Sequence, residues 1–113
     1  IIVAGDYNIC HREIDIHNPI SNKDASGFKP EERAWMEKYF MNGFTDSYRF
    51  KHPDARDQYS WWSYRANARN NNKGWRIDYV AVSDNMQANI VEARMFQEAR
   101  HSDHCPVYCK LEF

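Results

Sequence analysis

The sequence predicts an α+β domain, with one mixed β-sheet carrying a helix on one face. Three observations predict it. Several short stretches alternate apolar and polar residues with the period of a strand. One stretch, beginning at Pro30, spaces its apolar residues as a helix does. The strands after it follow one another without further helices, as in folds that segregate helices to one side of a sheet. The chain has 113 residues, suiting one small domain, and 42% of them are hydrophobic. Six Phe, four Trp and seven Tyr supply the bulk of a core.

Residues 1–5, "IIVAG", read as a short buried strand ended by Gly5. Residues 6–29 are polar and irregular, long for a structureless connection, and loops of that length tend to be functional or mobile. At the helix start Pro30 suits the first turn, and Glu31 and Glu32 suit the positive end of the helix dipole. Trp35 with Tyr39, and Met36 with Phe40, fall at i, i+4 and form one apolar stripe. Gly43 fits the position just past the helix end. Residues 44–56 read as loop. Strands are then expected at "QYSWWSY" (58–64), around Asp78 in the second half of "GWRIDYVAVS" (74–83), at "NIVEARMF" (89–96) and at "HCPVYCKLEF" (104–113). In the second of these Ile77, Tyr79 and Ala81 share one face, and Asp78, Val80 and Val82 the other. The opposite face of the sheet needs a further layer that the chain does not supply.

A net charge of −1 excludes wholesale electrostatic binding of nucleic acid, so such a partner would be gripped by a local patch or a metal ion. Three cysteines, an odd number, read as reduced thiols. No apolar run approaches the roughly 20 residues of a membrane span, and no signal peptide is visible. A cytoplasmic protein with no membrane partner is expected. The chain opens without Met inside a strand, which reads as a piece of a longer protein.

Chemistry-bearing residues cluster at strand ends, in "GDYN" (5–8), "RID" (76–78) and "HSDH" (101–104). Asp78 and His104 form the sharpest pair: a carboxylate bonded to one imidazole nitrogen fixes the ring and stabilises its protonated form, leaving the other nitrogen for a substrate oxygen. The plain alternative is a salt bridge from Asp78 to Arg76. Asp6 offers an acceptor for a water proton, and Asn8 a donor that can orient a phosphate oxygen; the alternative is an Asx turn. Asp103 and Asp6 are candidate ligands for a hard cation such as Mg²⁺. Trp61, Trp62 and Trp75 could stack on bases or wall a sugar, and Arg69, Lys73 and Arg76 could contact phosphates. A zinc site at Cys105 and Cys109 is excluded, since in a strand they lie about 13 Å apart. A Ser102–His104 hydrolase lacks the nucleophile elbow.

The order of these clusters, G-D-x-N, then W-W…N-x-x-x-G-W-R-I-D-Y, then S-D-H-C-P, resembles the exodeoxyribonuclease III family of class II AP endonucleases. That family lies in the endonuclease/exonuclease/phosphatase superfamily, with DNase I and inositol polyphosphate phosphatases. "GDYNICHREIDIHNP", "GFKPEER", "WWSYRANARNNNKGWRIDY" and "HSDHCPV" carry the likeness across essentially the whole chain. The resemblance implies a DNase I-like four-layer α/β sandwich about twice this long, of which residues 1–113 would be the C-terminal half, and a bacterial, nucleoid-associated activity. It implies Mg²⁺- or Mn²⁺-dependent cleavage 5′ to abasic sites in double-stranded DNA, with 3′→5′ exonuclease action. By motif, Asp6 would activate the water, Asn8 would bind the phosphate, and Asp78 would orient His104 against the scissile phosphate. Asp103 would belong to the metal site, Trp61, Trp75 and Ile77 would wall the sugar pocket, and Asn22 would lie near the substrate. The N-terminal half would bring a metal-binding Glu and a catalytic Tyr, so the fragment alone is expected to be inactive and to associate through its uncovered inner sheet face. A phosphatase-type member and a non-catalytic DNA- or partner-binding module are the competing readings.

Overall fold

A computed structural model describes residues 1–113. Strand β1 (Ile2–Asp6) is followed by a long connection containing a 3-10 turn at Glu13–Asp15, then helix α1 (Pro30–Met41), strand β2 (Phe44–Asp46) and helix α2 (Ser47–Lys51). Strands β3 (Trp61–Trp62), β4 (Gly74–Trp75), β5 (Asp78–Ser83), β6 (Ile90–Met95) and β7 (Val107–Leu111) complete the chain. The α+β class holds. The strands hydrogen-bond as three antiparallel groups, β1-β5-β2, β3-β4 and β6-β7, where the pattern suggested one mixed sheet.

Helix α1 starts as its sequence dictates. Pro30 needs no N–H partner at the first position, and Glu32 Oε1 reaches back to accept the Lys29 and Gly27 N–H groups at 3.0 and 2.8 Å. Met36 is fully buried, whereas Trp35 is exposed and stacks on Tyr39. Tyr39 in turn stacks flat on Phe44 of β2, with centroids 4.7 Å apart, and meets Tyr7 edge-on. This aromatic row fastens α1 to the β1-β5-β2 sheet. Gly43, at φ +108°, turns the chain from α1 into β2.

Several elements depart from the sequence pattern. β1 was expected to be buried, yet all five of its residues are exposed. It pairs with β5 on one edge only, and its outer edge carries nothing. Residues 44–56 hold β2 and α2, three and five residues long, too short to show a period. The strand that the alternation marks around Asp78 is β5, and the chain breaks at Arg76–Ile77, where it passes from β4 to β5. Beyond their named strands, residues around Ile16 and His104 extend the β3-β4 pair on either side, through bridges Ile16–Trp75 and Trp61–His104.

Arg76 explains the break. It is fully buried and ion-paired, so its expected role as a phosphate contact is overturned. Its Nε donates to Asp15 at 2.8 Å, and its two terminal nitrogens grip both oxygens of Asp46 at 3.0 and 2.5 Å. Arg49, also buried, adds a 2.6 Å bond to Asp15. Burial alone would raise the Asp15 carboxyl, but the two guanidinium groups outweigh it and hold it below the usual range. The 6–29 connection is therefore tied down at its middle, at Asp15.

A buried charge stripped of its partner is costly. Arg76→Met should cost about 3–5 kcal/mol in chemical denaturation, because it strands Asp15 and Asp46. Since the folded Asp15 titrates below its unfolded value, its contribution to stability is present above about pH 4 and lost as pH falls further. A denaturation series from pH 6 to pH 3 should show that loss in the wild type, and much less of it in Asp15→Asn.

Candidate active site

The β1–β5 register sets Asp6 directly across from Asp78. The backbone break before β5 leaves Asp78 half-buried at the strand start, with 11% of its side chain exposed. Ser60, fully buried just before β3, holds this break: its hydroxyl oxygen accepts the N–H groups of Ile77 and Asp78 at 3.0 and 3.1 Å. Its carbonyl accepts the Cys105 N–H at 2.8 Å, and Trp62 N–H donates to the Asp103 carbonyl. One short segment thus fixes both the Asp78 end of β5 and the 103–105 stretch. Sequence reasoning missed Ser60, for an isolated serine beside a strand carries no signal of the N–H groups it will meet.

These constraints bring His104 to the rim. Its Nδ1 donates to Asp78 Oδ2 at 2.9 Å, and its Nε2 lies 3.8 Å from Asp6 Oδ2. The alternative pairing of Asp78 with Arg76 fails, because Arg76 is spent on Asp15 and Asp46. Partial burial disfavours the charged ring, but the bond to Asp78 and the charges of Asp78, Asp6 and Asp103 outweigh it and raise the His104 pKa above 6.5. Burial also pushes the Asp78 carboxyl up, with the His104 and Ser60 hydrogen bonds pulling it part of the way back. The result is an imidazolium-forming ring held by one carboxylate, its second nitrogen turned toward another.

Asp6 Oδ1 accepts the Asn8 N–H at 2.8 Å, so the Asx turn is real, with Asn8 in the left-handed region at φ 56°. It leaves Asp6 Oδ2 exposed and the Asn8 amide without a protein partner. The acid–imidazole group that could share a cation is Asp6, Asp78 and His104, whose ligand atoms lie within 4.8 Å of one another. Asp103 is outside it. Its carboxylate is engaged by Trp61 Nε1 at 3.0 Å and Ser102 Oγ at 3.2 Å, and the Trp61 bond in particular holds it below the usual carboxylate range.

Trp61 and Trp75 meet edge-to-face at 6.1 Å and pack on a cluster of Cys10, Ile16, Phe28 and Ile77. Ile77 is itself buried and supports the two indoles from beneath. Gly27, at φ +97°, is needed here: a Cβ would sit 2.9 Å from the Trp75 ring and 2.9 Å from the Asn8 carbonyl. Asn22 spends its amide on the His17 and Asn18 carbonyls, bracing its own turn. Arg69 is corrected as well: it donates to the Ser102, Gln97 and Ala99 carbonyls and lies over Trp62, so it staples the 97–102 loop instead of awaiting a phosphate. Lys73 is exposed and lines the largest cleft, about 870 Å³, whose walls contain none of Asp6, Asp78 and His104. The chemistry therefore sits on an open rim.

A strand-end pair of carboxylate and imidazole beside a second acid is an arrangement suited to moving protons and holding an oxyanion. The chain matches the endonuclease/exonuclease/phosphatase family over residues 1–104 and belongs to it. It is 46% identical over 107 residues to an exodeoxyribonuclease of Bacillus subtilis (strain 168), covering 95% of this chain and 42% of that protein. It is 40% identical over 107 residues to DNA repair nuclease APEX1 of Danio rerio, covering 95% of this chain and 34% of that one. Among solved structures, an AP endonuclease from Leishmania major superposes with a TM-score of 0.94 at 34% identity, over 99% of this chain and 35% of its own. The 3′ phosphatase NExo from Neisseria, bound to a product DNA hairpin, superposes with a TM-score of 0.93 at 30% identity, over 99% of this chain and 45% of its own. The chain thus spans less than half the length of these relatives. No helix is long and apolar enough to cross a membrane.

If Asp78 sustains the His104 proton, Asp78→Asn should lower the ring pKa measured by NMR. Ser60→Ala should lower or broaden the same titration, and Ser60→Thr, which keeps the hydroxyl, should restore it.

Proposed function

We propose that the protein supplies part of the active site of a divalent-metal-dependent DNA-repair nuclease, cleaving beside abasic sites and removing nucleotides 3′→5′. The observation that carries this reading is the Asp6–Asp78–His104 group, with Asp78 bonded to His104 Nδ1 and the opposite ring nitrogen free beside an exposed carboxylate. Here Asp6 accepts the proton of the attacking water, and the His104 imidazolium stabilises charge gathering on the phosphate. Asp78 keeps that ring protonated and oriented, and the free Asn8 amide contacts a non-bridging oxygen. Trp61 and Trp75 form an apolar wall that admits a sugar lacking its base.

The donor set fits Mg²⁺ or Mn²⁺. Asp6 presents an exposed oxygen, and such hard cations bind through one or two carboxylates, waters and substrate phosphates. When bound, the ion neutralises phosphate charge and makes its water more acidic. Asp6 is the leading ligand. Asp103, engaged with Trp61, supplies negative charge that helps keep His104 protonated.

With abasic duplex DNA and Mg²⁺, and residues 1–113 placed in the full-length protein, His104→Gln and Asp6→Asn should each lower cleavage by about 10²–10⁴-fold. EDTA should abolish cleavage, and excess Mg²⁺ restore it. Hydrolysis of an inositol phosphate with no action on the abasic duplex would overturn the nuclease reading in favour of a phosphatase.

Residues 1–113 alone offer a metal little beyond Asp6, and we expect that chain to be nearly inactive. It also exposes Ile1, Ile2 and Val3 at the start of β1, whose outer edge is unpaired. Such a patch favours association, in the simplest case a two-fold dimer. Size-exclusion chromatography with light scattering at micromolar concentration should show an oligomer, and a clean monomer would refute it.

A further inference from the structure

The catalytic rim gathers three acids, Asp6, Asp78 and Asp103, around a single imidazole. Without a bound cation such a rim repels a polyanion, so basic side chains elsewhere would help to hold one. The structure removes most of the obvious ones: Arg49 and Arg76 are buried in ion pairs, and Arg69 is spent on carbonyl groups. A group of basic residues remains in the largest cleft, about 870 Å³, where Arg12, Arg33, Arg56, Lys73 and His17 line the walls. None of these five joins any ion pair of the fold, although Glu13 and Asp57 line the same cleft.

We propose that this cleft is a phosphate-binding site, distinct from the catalytic rim, with Arg12, Arg56 and Lys73 as ligands and Arg33 behind them. In a nucleic-acid complex it holds a backbone phosphate remote from the cleaved bond. Arg33 is preset for this: its Nε donates to the His11 carbonyl at 3.2 Å and its guanidinium lies 4.3 Å over the Phe28 ring, leaving its two terminal nitrogens without a protein partner. Uncompensated cations around one concavity repel each other, and a bound oxyanion relieves that repulsion. The field is felt locally, since burial and the Lys73 charge hold His17 below its usual pKa. The cleft is also coupled to the aromatic wall: His17 N–H donates to the Gly74 carbonyl at 3.0 Å, and Ile16 bridges to Trp75, so β4 is shared by both.

The nucleic-acid source rests on the reading given under Proposed function, whereas the phosphate chemistry stands without it. The test is therefore binding in EDTA, with no cleavage required. Inorganic phosphate should raise the His17 pKa seen by NMR, and Arg56→Gln/Lys73→Gln should abolish that rise while leaving the melting temperature unchanged. With an intact DNA duplex followed by fluorescence anisotropy across a KCl series, the same double variant should lower the log–log salt slope by about 0.9, the share of one phosphate no longer neutralised. Lys110→Gln, on β7, should leave the slope as in the wild type. An unmoved His17 titration in phosphate would overturn the site. A phosphate response with an unchanged duplex slope would overturn the nucleic-acid source in favour of a free anion, and neither result would touch the cleavage assay.

Discussion

The structure depends on one buried guanidinium. Arg76 joins Asp15, from the middle of the first long connection, to Asp46, at the junction of β2 and α2. A planar fork is required to serve two carboxylates at once, so lysine is no substitute. The same residue donates its backbone N–H to the Asp15 carbonyl and stands two positions before Asp78. Holding Arg76 thus fixes where β5 begins and how its first carboxylate is presented. The network leaves one buried group, Arg49 Nε, without a partner, so the tie is imperfect but heavily cross-braced.

From this core outward, the protein divides its cations between two tasks. Arg49, Arg69 and Arg76 act as internal braces, each converting several carbonyl or carboxylate acceptors into fixed geometry. The cations of the large cleft remain unpaired. A near-neutral net charge hides local groupings: Asp6, Asp78 and Asp103 stand at the rim, while Arg12, Arg33, Arg56 and Lys73 line the cleft beside Glu13 and Asp57. Local arrangement, and not overall balance, decides what approaches which face.

Much of the site was legible because its residues sit in short, ordered clusters. The Asp78–His104 bond and the convergence of Asp6 on it follow from strand ends that the alternation marked. The helix from Pro30 was legible from its first-turn residues. The fate of the arginines was not, since nothing in "GWRIDY" shows that Arg76 will meet acids 61 and 30 residues away. Periodicity also failed for β2 and α2, which are shorter than the periods that would reveal them. The exposure of β1 was hidden for a related reason: "IIVAG" has the composition of a buried strand, and composition does not report whether a covering layer is present.

At the rung where Asp6 faces Asp78, two carboxylates stand opposite each other on adjacent strands, an arrangement that weakens a sheet. Only the His104 side chain mediates between them. Such a rung costs the sheet some stability at the place where its two strands end together. Selection for durability alone would exchange one acid for a neutral hydrogen-bonding residue and gain a firmer sheet edge. Retaining both keeps the edge weak at the one place where a positively charged visitor can tighten it.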